Sequence, residues 1–445
     1  CCVVTLGCAK NQVDSERILS GLSAAGFALV HDPASADIVI VNTCGFIAPS
    51  AAESLEMIEE MIALRKEGLP RRLFVAGCLV ERYGNEITDT LAGIDRLFGK
   101  NAAEELVRVC RETVGLPSGP AVSCDLRRPV FTGTPGSAYL RVADGCNNRC
   151  AYCTIPLIRG PLVSRPFRAV CAEIDDLVDQ GMREINVIAQ DTTAYGRDQD
   201  RDQAINEVQK HIDTKKERLW GRLLYTHPRH LRESTLDLLS REVNLCEYVD
   251  MPIQHINDLL LERMNRGVDS ARIRRLIDYA RQLDPPLCIR TTVIVGFPGE
   301  TDAVFRELLQ FIEETEFDRL GVFGYCAEED TAAFQMAPTV PESVIEERVR
   351  RVAECQRGIH IRKNREWLGK AVEVFVEAEA RDGVQGAGRT RRDAPDADSE
   401  ILLSGDTPPE GAFCTALVEE VSGYDLAGRV MGTGETEIRG GRADE

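Results

Sequence analysis

The sequence lacks any apolar run close to the roughly 18 residues that a membrane-spanning helix requires. It is also short of positive charge, because 53 Lys and Arg residues stand against 72 Asp and Glu residues, for a net charge of -19. Proteins that wrap the phosphate backbone of nucleic acid need an excess of Lys and Arg. We therefore expect neither a membrane protein nor a protein of that class, and a basic protein is the more suitable partner.

The start of the sequence also lacks a charged segment followed by an apolar one, the pattern of a secretory signal. Sixteen cysteines in a long chain without such a signal favour metal binding by some of them over a disulfide framework. We therefore expect a cytoplasmic protein. With 445 residues, the chain exceeds what one hydrophobic core usually supports, which indicates two to four compact units.

The first unit, residues 1–116, alternates short apolar runs with amphipathic segments. Such runs separated by helices predict a parallel sheet covered on both faces, an α/β fold. The predicted strands include residues 2–6, 38–41 and 73–76, and the predicted helices are residues 13–25 and 51–67, ended by Gly26 and Gly68.

Residues 117–135, rich in Pro, Gly and Ser, are predicted to be a linker to a second unit, residues 136–364. Six apolar runs alternating with helical patterns predict a partial, open (βα)6 barrel. We expect the polar stretch 197–218 to be a mobile excursion, although Ile205, Val208 and Ile212 have helical spacing. The predicted strands are residues 138–142, 184–189, 219–225, 247–253, 287–295 and 320–325, and one predicted helix is residues 301–316.

A long charged helix over residues 342–367 leads to a third unit, residues 365–436, and a tail, residues 437–445. Short runs such as residues 371–376, 400–403 and 414–420, separated by Gly and Pro turns, predict a small β-barrel. From residue 365 to the end, 9 Lys and Arg residues stand against 18 Asp and Glu residues, a net charge of -9. The acidity is therefore concentrated in this unit.

Three cysteines, Cys146, Cys150 and Cys153, follow the first predicted barrel strand with the spacing C-x3-C-x2-C, and we call them the barrel trio. Three thiolates can hold three irons of a 4Fe-4S cluster, and the fourth iron is then open to a small molecule. The alternatives are incidental cysteines or a zinc knuckle, but zinc usually takes four protein ligands and the sequence has no fourth Cys or His nearby.

The barrel trio, with Tyr152 directly before its last cysteine, resembles the signature of radical S-adenosylmethionine (SAM) enzymes. The resemblance implies that SAM binds the open iron and is cleaved reductively to a 5'-deoxyadenosyl radical. It also implies that the three cysteines and Tyr152 belong to the cofactor site. The predicted position agrees, because catalytic groups in such barrels gather at the carboxyl ends of the strands.

Three more cysteines, Cys8, Cys44 and Cys78, each follow a predicted strand of the first sheet, and we call them the sheet trio. Ligand sites of open α/β sheets lie at the carboxyl ends of the strands, so these thiols can converge. Each alone is more often a small buried apolar residue, and together they could form a structural thiol cluster. Their common position favours a second 4Fe-4S cluster, with the neighbouring glycines Gly7, Gly45 and Gly77 giving the backbone room.

A second cluster unit ahead of a radical SAM barrel resembles the methylthiotransferase family, and its RimO type most closely. This resemblance implies two 4Fe-4S clusters, a terminal TRAM-type barrel and methylthiolation of the β-carbon of an aspartate in a small-subunit ribosomal protein (S twelve). The tRNA-modifying MiaB type is the alternative, although it usually has Gln-Asn-Val where this chain has Gln-Asp-Thr. The supporting segments are residues 42–47, 159–160, 164–165, 190–196, 296–301 and 424–426.

Several residues at barrel strand ends are candidate SAM contacts. Gln190 and Asp191 end the second strand and could meet the amino acid part of SAM, and Gln254 ends the fourth. Gly296 and Glu300 lie in the turn after the fifth strand, where glycine could admit the adenine. Ordinary turn chemistry is the alternative for each.

The resemblance further implies a reductant such as flavodoxin or ferredoxin, a protein substrate in place of tRNA, and a monomer. Asp330 departs from the family pattern, which usually has glycine there, so the turn could be altered. A hypothesis of another class is an iron-sulfur electron-transfer protein, which would form no 5'-deoxyadenosine.

Overall fold

The computed structural model describes residues 1–116, 128–381 and 384–432. Most of the predicted linker, Cys124 and the predicted tail lie outside the described residues. Across the described ranges, no helix is both long and apolar enough to cross a bilayer.

The first unit is a parallel four-stranded sheet in the order β1-β2-β3-β4, with helices on both faces. Buried Val and Ile residues fill β2, as expected for a strand covered on both sides. The three predicted strands and two predicted helices are present, while the three-residue β4 was not predicted. The strands are β1 (Cys2–Thr5), β2 (Ile38–Thr43), β3 (Arg72–Gly77) and β4 (Arg96–Phe98), and the helices are α1 (Ala9–Ala24), α2 (Ala48–Lys66), α3 (Cys78–Tyr83), α4 (Glu86–Thr90) and α5 (Ala103–Thr113).

The central unit contains the six predicted strands, all parallel to their neighbours, in two three-stranded sheets that a bridge between Gly221 and Leu245 connects. This is the predicted open half-barrel. Its main strands are β5 (Ser137–Arg141), β8 (Glu184–Ile188), β9 (Trp220–Leu223), β10 (Tyr248–Asp250), β11 (Cys288–Val295) and β12 (Arg319–Gly324), and a short hairpin consists of β6 (Ala143–Asp144) and β7 (Val163–Ser164).

Helices cover the outer face of the half-barrel and form most of the largest apolar core with its strands. They are α7 (Phe167–Asp179), α8 (Ala204–Asp213), α9 (Glu233–Arg241), α10 (Asp258–Arg263), α11 (Ser270–Gln282), α12 (Asp302–Thr315) and the long α13 (Glu342–Arg365), whereas the short α6 (Ile155–Ile158) contacts α3 of the first unit. The polar stretch expected to be mobile contains α8. Its residues Ile205, Val208 and Ile212 are fully buried, so their helical spacing holds this segment on the core.

The third unit is a closed five-stranded barrel in the order β13-β14-β15-β17-β16. Its strands are β13 (Ala371–Ala378), β14 (Gly386–Thr390), β15 (Ile401–Ser404), β16 (Phe413–Ser422) and β17 (Asp425–Gly432). The segment 389–398 lies against the amino ends of the half-barrel strands. There Arg389 pairs with Glu184 at 2.7 Å, and Arg319 pairs with Asp393. The third unit therefore closes the amino end of the half-barrel.

The turn at Asp330 keeps the left-handed backbone that glycine favours, with φ of +66°. Glu328 in this turn accepts a hydrogen bond from the Ala48 amide at 2.7 Å and pairs with Arg82 at 2.8 Å. The departure from the family pattern therefore adds backbone strain of about 1–2 kcal/mol. It does not open the turn, which ties the half-barrel to the first unit.

Candidate active site

The sheet trio lies at the carboxyl edge of the first sheet, as predicted. Cys8 precedes α1, Cys44 follows β2, and Cys78 is the first residue of α3 directly after β3. Asn11 connects the three loops, since its amide donates to the carbonyls of Leu6 at 3.0 Å and Thr43 at 2.8 Å. Its side-chain oxygen lies 3.5 Å from the Cys78 sulfur.

Gly7 and Gly77 are required by the close packing of these loops on one another. Both have positive φ, +93° and +101°. A Cβ on Gly7 would lie 2.8 Å from the Cys44 Cβ, and one on Gly77 would lie 2.5 Å from the Asn42 side-chain oxygen. The glycines therefore bring the cysteine loops together, in addition to the room that they leave around the thiols.

The Cys78 thiol faces a buried arginine from the central unit. Burial raises the pKa of Cys78 to about 11, although Arg159, whose guanidinium lies 3.3 Å from the sulfur, lowers it. Nearby Cys8 and Cys44 raise this pKa further, which places the three thiols in one electrostatic group. Arg159 also pairs with Asp14 at 3.0 Å, so it is held in position.

The barrel trio lies in the loop between the hairpin strand β6 and α6. Burial raises the pKa of Cys146 to about 11 and that of Cys153 to about 12, and both lie near Cys150. Arg266 approaches the Cys150 sulfur at 3.5 Å. Each trio therefore has one sulfur in contact with a buried guanidinium group.

The loop of the barrel trio is fixed by glycine and by Tyr152. Gly145 has φ of +71°, and a Cβ there would lie 2.0 Å from the Pro161 carbonyl oxygen, so a larger residue does not fit. Tyr152 packs against the buried apolar cluster that contains Phe297, and it lies near Cys150 and Cys153. The aromatic residue of the motif thus anchors the loop of the barrel trio to this apolar cluster.

Asp191 lies beside this loop and is engaged by the protein. It accepts hydrogen bonds from the Asn148 amide at 2.8 Å, the Thr193 hydroxyl and His230 Nδ1 at 2.7 Å. Burial raises the pKa of Asp191, but His230 and nearby His227 lower it well below its usual range. Asp191 therefore orients the residue between the first and second cysteines of the barrel trio.

The two predicted glutamines have side-chain atoms without partners. Gln190 donates to Asp144 at 3.0 Å, and its Oε1 is buried with no hydrogen-bond partner among the described residues. The Oε1 atom of Gln254 is also buried and unpartnered within the described ranges. Gln254 has φ of +71°, a strain that favours a functional role for this side chain.

Gly296 and Glu300 have a different environment from the one expected. A Cβ on Gly296 would lie 2.4 Å from Ile345 Cγ1, so this glycine allows α13 to pack and its open side is already filled. Glu300 binds Arg348 of α13 at 2.7 Å and lies 3.5 Å from His255. The structure therefore brings Gly296 and Glu300 to the helix contact behind the strand ends.

The loops that carry the two trios are in contact where the first unit packs on the central unit. Thr154, next to Cys153, donates a hydrogen bond to the Phe46 carbonyl at 2.7 Å, and Phe46 lies two residues after Cys44. The contact of Arg159 with the sheet trio crosses the same boundary. The loops that carry the two trios are therefore held against each other across this boundary.

Each trio offers thiol donors of the kind that an iron-sulfur cluster takes. No three His, Cys, Asp or Glu side chains in the described parts of the chain are grouped to hold one metal ion. A cubane needs each thiolate at a different iron, whereas a structural zinc ion takes four protein ligands at one centre. Convergent thiols, facing guanidinium groups and glycine-lined loops are the donor set and the space that such a cluster requires.

A cavity of about 630 Å³ lies between the first unit, the half-barrel and the segment 389–398. Cys8 lines this cavity, so it reaches the sheet trio. A second cavity, of about 690 Å³, contacts Arg159 but none of the six cysteines. The first is therefore the better candidate for a substrate. Its other lining residues include Tyr139, Tyr225, Asp250, Arg290 and Asp396.

The sequence analysis did not identify Arg266 or Lys10 as candidate functional residues. It included Arg159 in a motif but did not predict its contact with a cysteine. Arg159 stood in a recognised motif, but its contact with Cys78 crosses 81 positions. Arg266 lies 116 positions from Cys150. No local spacing signals such pairs, while Lys10, two residues after Cys8, could have been found by its position.

Comparisons with protein families cover the three units. Residues 1–99 match the uncharacterized protein family UPF0004, residues 140–312 match the radical SAM superfamily, and residues 368–431 match the TRAM domain. The second match shows a radical SAM enzyme, whose family binds SAM and an iron-sulfur cluster.

Curated relatives span nearly the whole chain. A protein of Syntrophotalea carbinolica named ribosomal protein uS12 methylthiotransferase RimO is 39% identical over 96% of this chain and 96% of its own length. The protein of the same name from Prosthecochloris aestuarii is 38% identical over 96% and 97%. Among solved structures, the radical SAM methyltransferase TsrM from Kitasatospora setae has a TM-score of 0.54 at 16% identity, covering 75% of this chain and 77% of that one, which shows a shared fold.

Proposed function

The chain belongs to the RimO type of the radical SAM methylthiotransferase family, and on this premise we propose that it methylthiolates the β-carbon of an aspartate in ribosomal protein uS12. The observation that carries the proposal is the meeting of the two trios, where Thr154 binds Phe46 and Arg159 contacts Cys78. A radical formed at one site and a sulfur held at the other react efficiently only when they are neighbours.

We propose two 4Fe-4S clusters. The barrel trio, Cys146, Cys150 and Cys153, holds the one whose open iron binds SAM, and the sheet trio, Cys8, Cys44 and Cys78, holds the other. When bound, they supply the electron that cleaves SAM and the sulfur that is transferred.

The protein's own residues contact the cysteine sulfurs, bind SAM and orient the loop of the barrel trio. Arg266 and Arg159 contact the sulfurs of Cys150 and Cys78, and their burial keeps them in place. The unpartnered Oε1 atoms of Gln190 and Gln254 can accept hydrogen bonds from the amino group of SAM. Tyr152 and Asp191 hold the loop that presents the barrel trio, which makes them positioning residues.

The surface charge suits a basic protein substrate. Among the described residues of the third unit, the exposed charged side chains are mostly acidic, while Arg389 is buried against the half-barrel. Such a surface repels the phosphates of tRNA and attracts a protein rich in Lys and Arg. The exposed acidic residues are Glu366, Asp396, Glu400, Asp406, Glu410, Glu419 and Glu420, and the exposed basic ones are Arg365, Lys370, Arg381 and Arg429.

A ribosomal substrate implies that the protein works in the cytoplasm. The reaction also requires single electrons from outside, and we propose a small donor such as a flavodoxin or ferredoxin. We propose that the chain acts as a monomer, because the site is formed by the units of one chain.

The test is to incubate the anaerobically reconstituted protein with SAM, sulfide and reductant, and with either uS12 or tRNA. We expect a methylthio group in place of one hydrogen on a single uS12 aspartate, located by mass spectrometry, and no modified tRNA. Modification of tRNA without modification of uS12 would contradict the proposal. Electron transfer without formation of 5'-deoxyadenosine would favour the electron-transfer alternative.

A further inference from the structure

Lys10 is a buried cation without an anionic partner. It lies in the first turn of α1, two residues after Cys8, and is 8% exposed. Its ammonium group lies 2.9 Å from the centre of the Tyr225 ring. No hydrogen bond or ion pair joins Lys10 to another side chain in the described ranges. Because burial of an unpaired charge is unfavourable, an anion from outside the chain would stabilise this position.

The carboxylates near Lys10 already have other partners. Asp250 accepts from the Tyr225 amide at 2.8 Å and pairs with Arg290 at 3.1 Å. Asp144 is bound by Arg159 and by the side-chain amides of Asn101 and Gln190. The positive charge of Lys10 is therefore left for a ligand.

Lys10 lies directly behind the lining of the cavity of about 630 Å³, which includes its neighbours Cys8 and Ala9. Cys8, Tyr225 and Asp250 line this cavity, and the Tyr225 ring lies directly under the ammonium group. Tyr225 has φ of +60°, an unfavourable backbone for a bulky residue and one found mostly at functional sites. A side chain that enters this cavity reaches Cys8 and the Tyr225 ring, against which the Lys10 ammonium group lies.

We propose that the Lys10 ammonium group binds the side-chain carboxylate of the substrate aspartate. The inference rests on the proposed function, and it makes Lys10 the residue that distinguishes aspartate from uncharged side chains. The β-carbon is bonded directly to the carboxylate carbon. Binding of the carboxylate at Lys10 therefore holds the reacting carbon next to the sheet trio, as a positioned near-attack arrangement requires.

A competing role is that Lys10 balances the negative charge of a cluster bound at Cys8. The two roles predict different effects on the binding of an aspartate peptide and of its asparagine analogue. A carboxylate-binding lysine affects an aspartate peptide and spares its asparagine analogue, whereas a cluster counterion affects iron content or acts equally on both peptides.

The test measures equilibrium binding of two peptides to the holoenzyme by fluorescence anisotropy, one with the target aspartate of uS12 and one with asparagine there. We expect wild type to bind the aspartate peptide about 10- to 100-fold more tightly, the range for a hydrogen bond to a charged group. Lys10→Met should remove this preference, and Lys10→Arg should restore part of it. Lys66→Met, an exposed lysine of the same unit, is the matched control.

An unchanged aspartate preference in Lys10→Met, or an equal loss for both peptides, would overturn the inference. Iron and sulfide content are measured on every variant, and a loss of iron in Lys10→Met would assign Lys10 to the cluster instead. If the Lys10-dependent preference is found but wild type forms no methylthio product, the inference on carboxylate binding stands and the proposed function fails.

Discussion

Replacing Cys146, Cys150 and Cys153 together by alanine is expected to reduce formation of 5'-deoxyadenosine from SAM to below about 1% of wild type, because the cofactor supplies this chemistry. The measurement is chromatographic quantification of 5'-deoxyadenosine under anaerobic reduction with dithionite. The barrel trio is the set of thiols that Arg266, Tyr152 and the Asn148–Asp191 contact hold in place.

The same experiment on the sheet trio distinguishes the two sites. The Cys8→Ala, Cys44→Ala, Cys78→Ala variant should still cleave SAM but form no methylthio product. Cys171→Ala is the matched control, a half-buried thiol on α7 that belongs to neither trio. Undiminished SAM cleavage by the barrel-trio variant would contradict the assignment of radical formation to those three cysteines.

Arg389→Met is expected to lower the free energy of unfolding by about 3–5 kcal/mol, because it leaves the buried carboxylate of Glu184 without its main partner. Arg389 contacts both carboxylate oxygens, at 3.0 and 2.7 Å. Burial alone would raise the pKa of Glu184, yet Arg389 and Arg222 lower it to about 2. The pair thus stabilises the contact between the third unit and the half-barrel.

The measurement is urea-induced unfolding of the full chain, followed by far-UV circular dichroism. Arg429→Met is the matched control, because Arg429 pairs with Glu419 at 3.0 Å on an exposed surface of the same small barrel. Such an exposed pair contributes about 0–1 kcal/mol. Equal effects of the two substitutions would show that the Arg389–Glu184 pair does not hold the third unit in place.

Much of the fold follows from local patterns. The buried strand β2 begins with a continuous apolar run, and amphipathic helices such as α12 have their apolar residues at helical spacing. The short β4 and the glycine-rich β14 were missed, because three residues or a run such as Gly-Ala-Gly carry little periodic signal. These two segments form strands because they pair with neighbouring strands of their sheets.

The candidate site was predictable where its residues are close in sequence. The spacing of the barrel trio and the position of the sheet trio after strands both reflect local geometry, whereas the contacts of Arg159 and Arg266 with thiols depend on tertiary folding. Gly296 shows that a local signal can be recognised while its structural reason is not. Its conformational freedom was visible in the sequence, but the neighbour that uses it, Ile345, comes from a distant helix.

The central claim is that the six cysteines hold two independent clusters, and anaerobic counting of iron and sulfide tests it most directly. Wild type should bind about eight iron atoms, and each triple alanine variant, of the barrel trio or of the sheet trio, should retain about four. Complete loss of iron in either triple variant, or no loss in one of them, would contradict two separate sites.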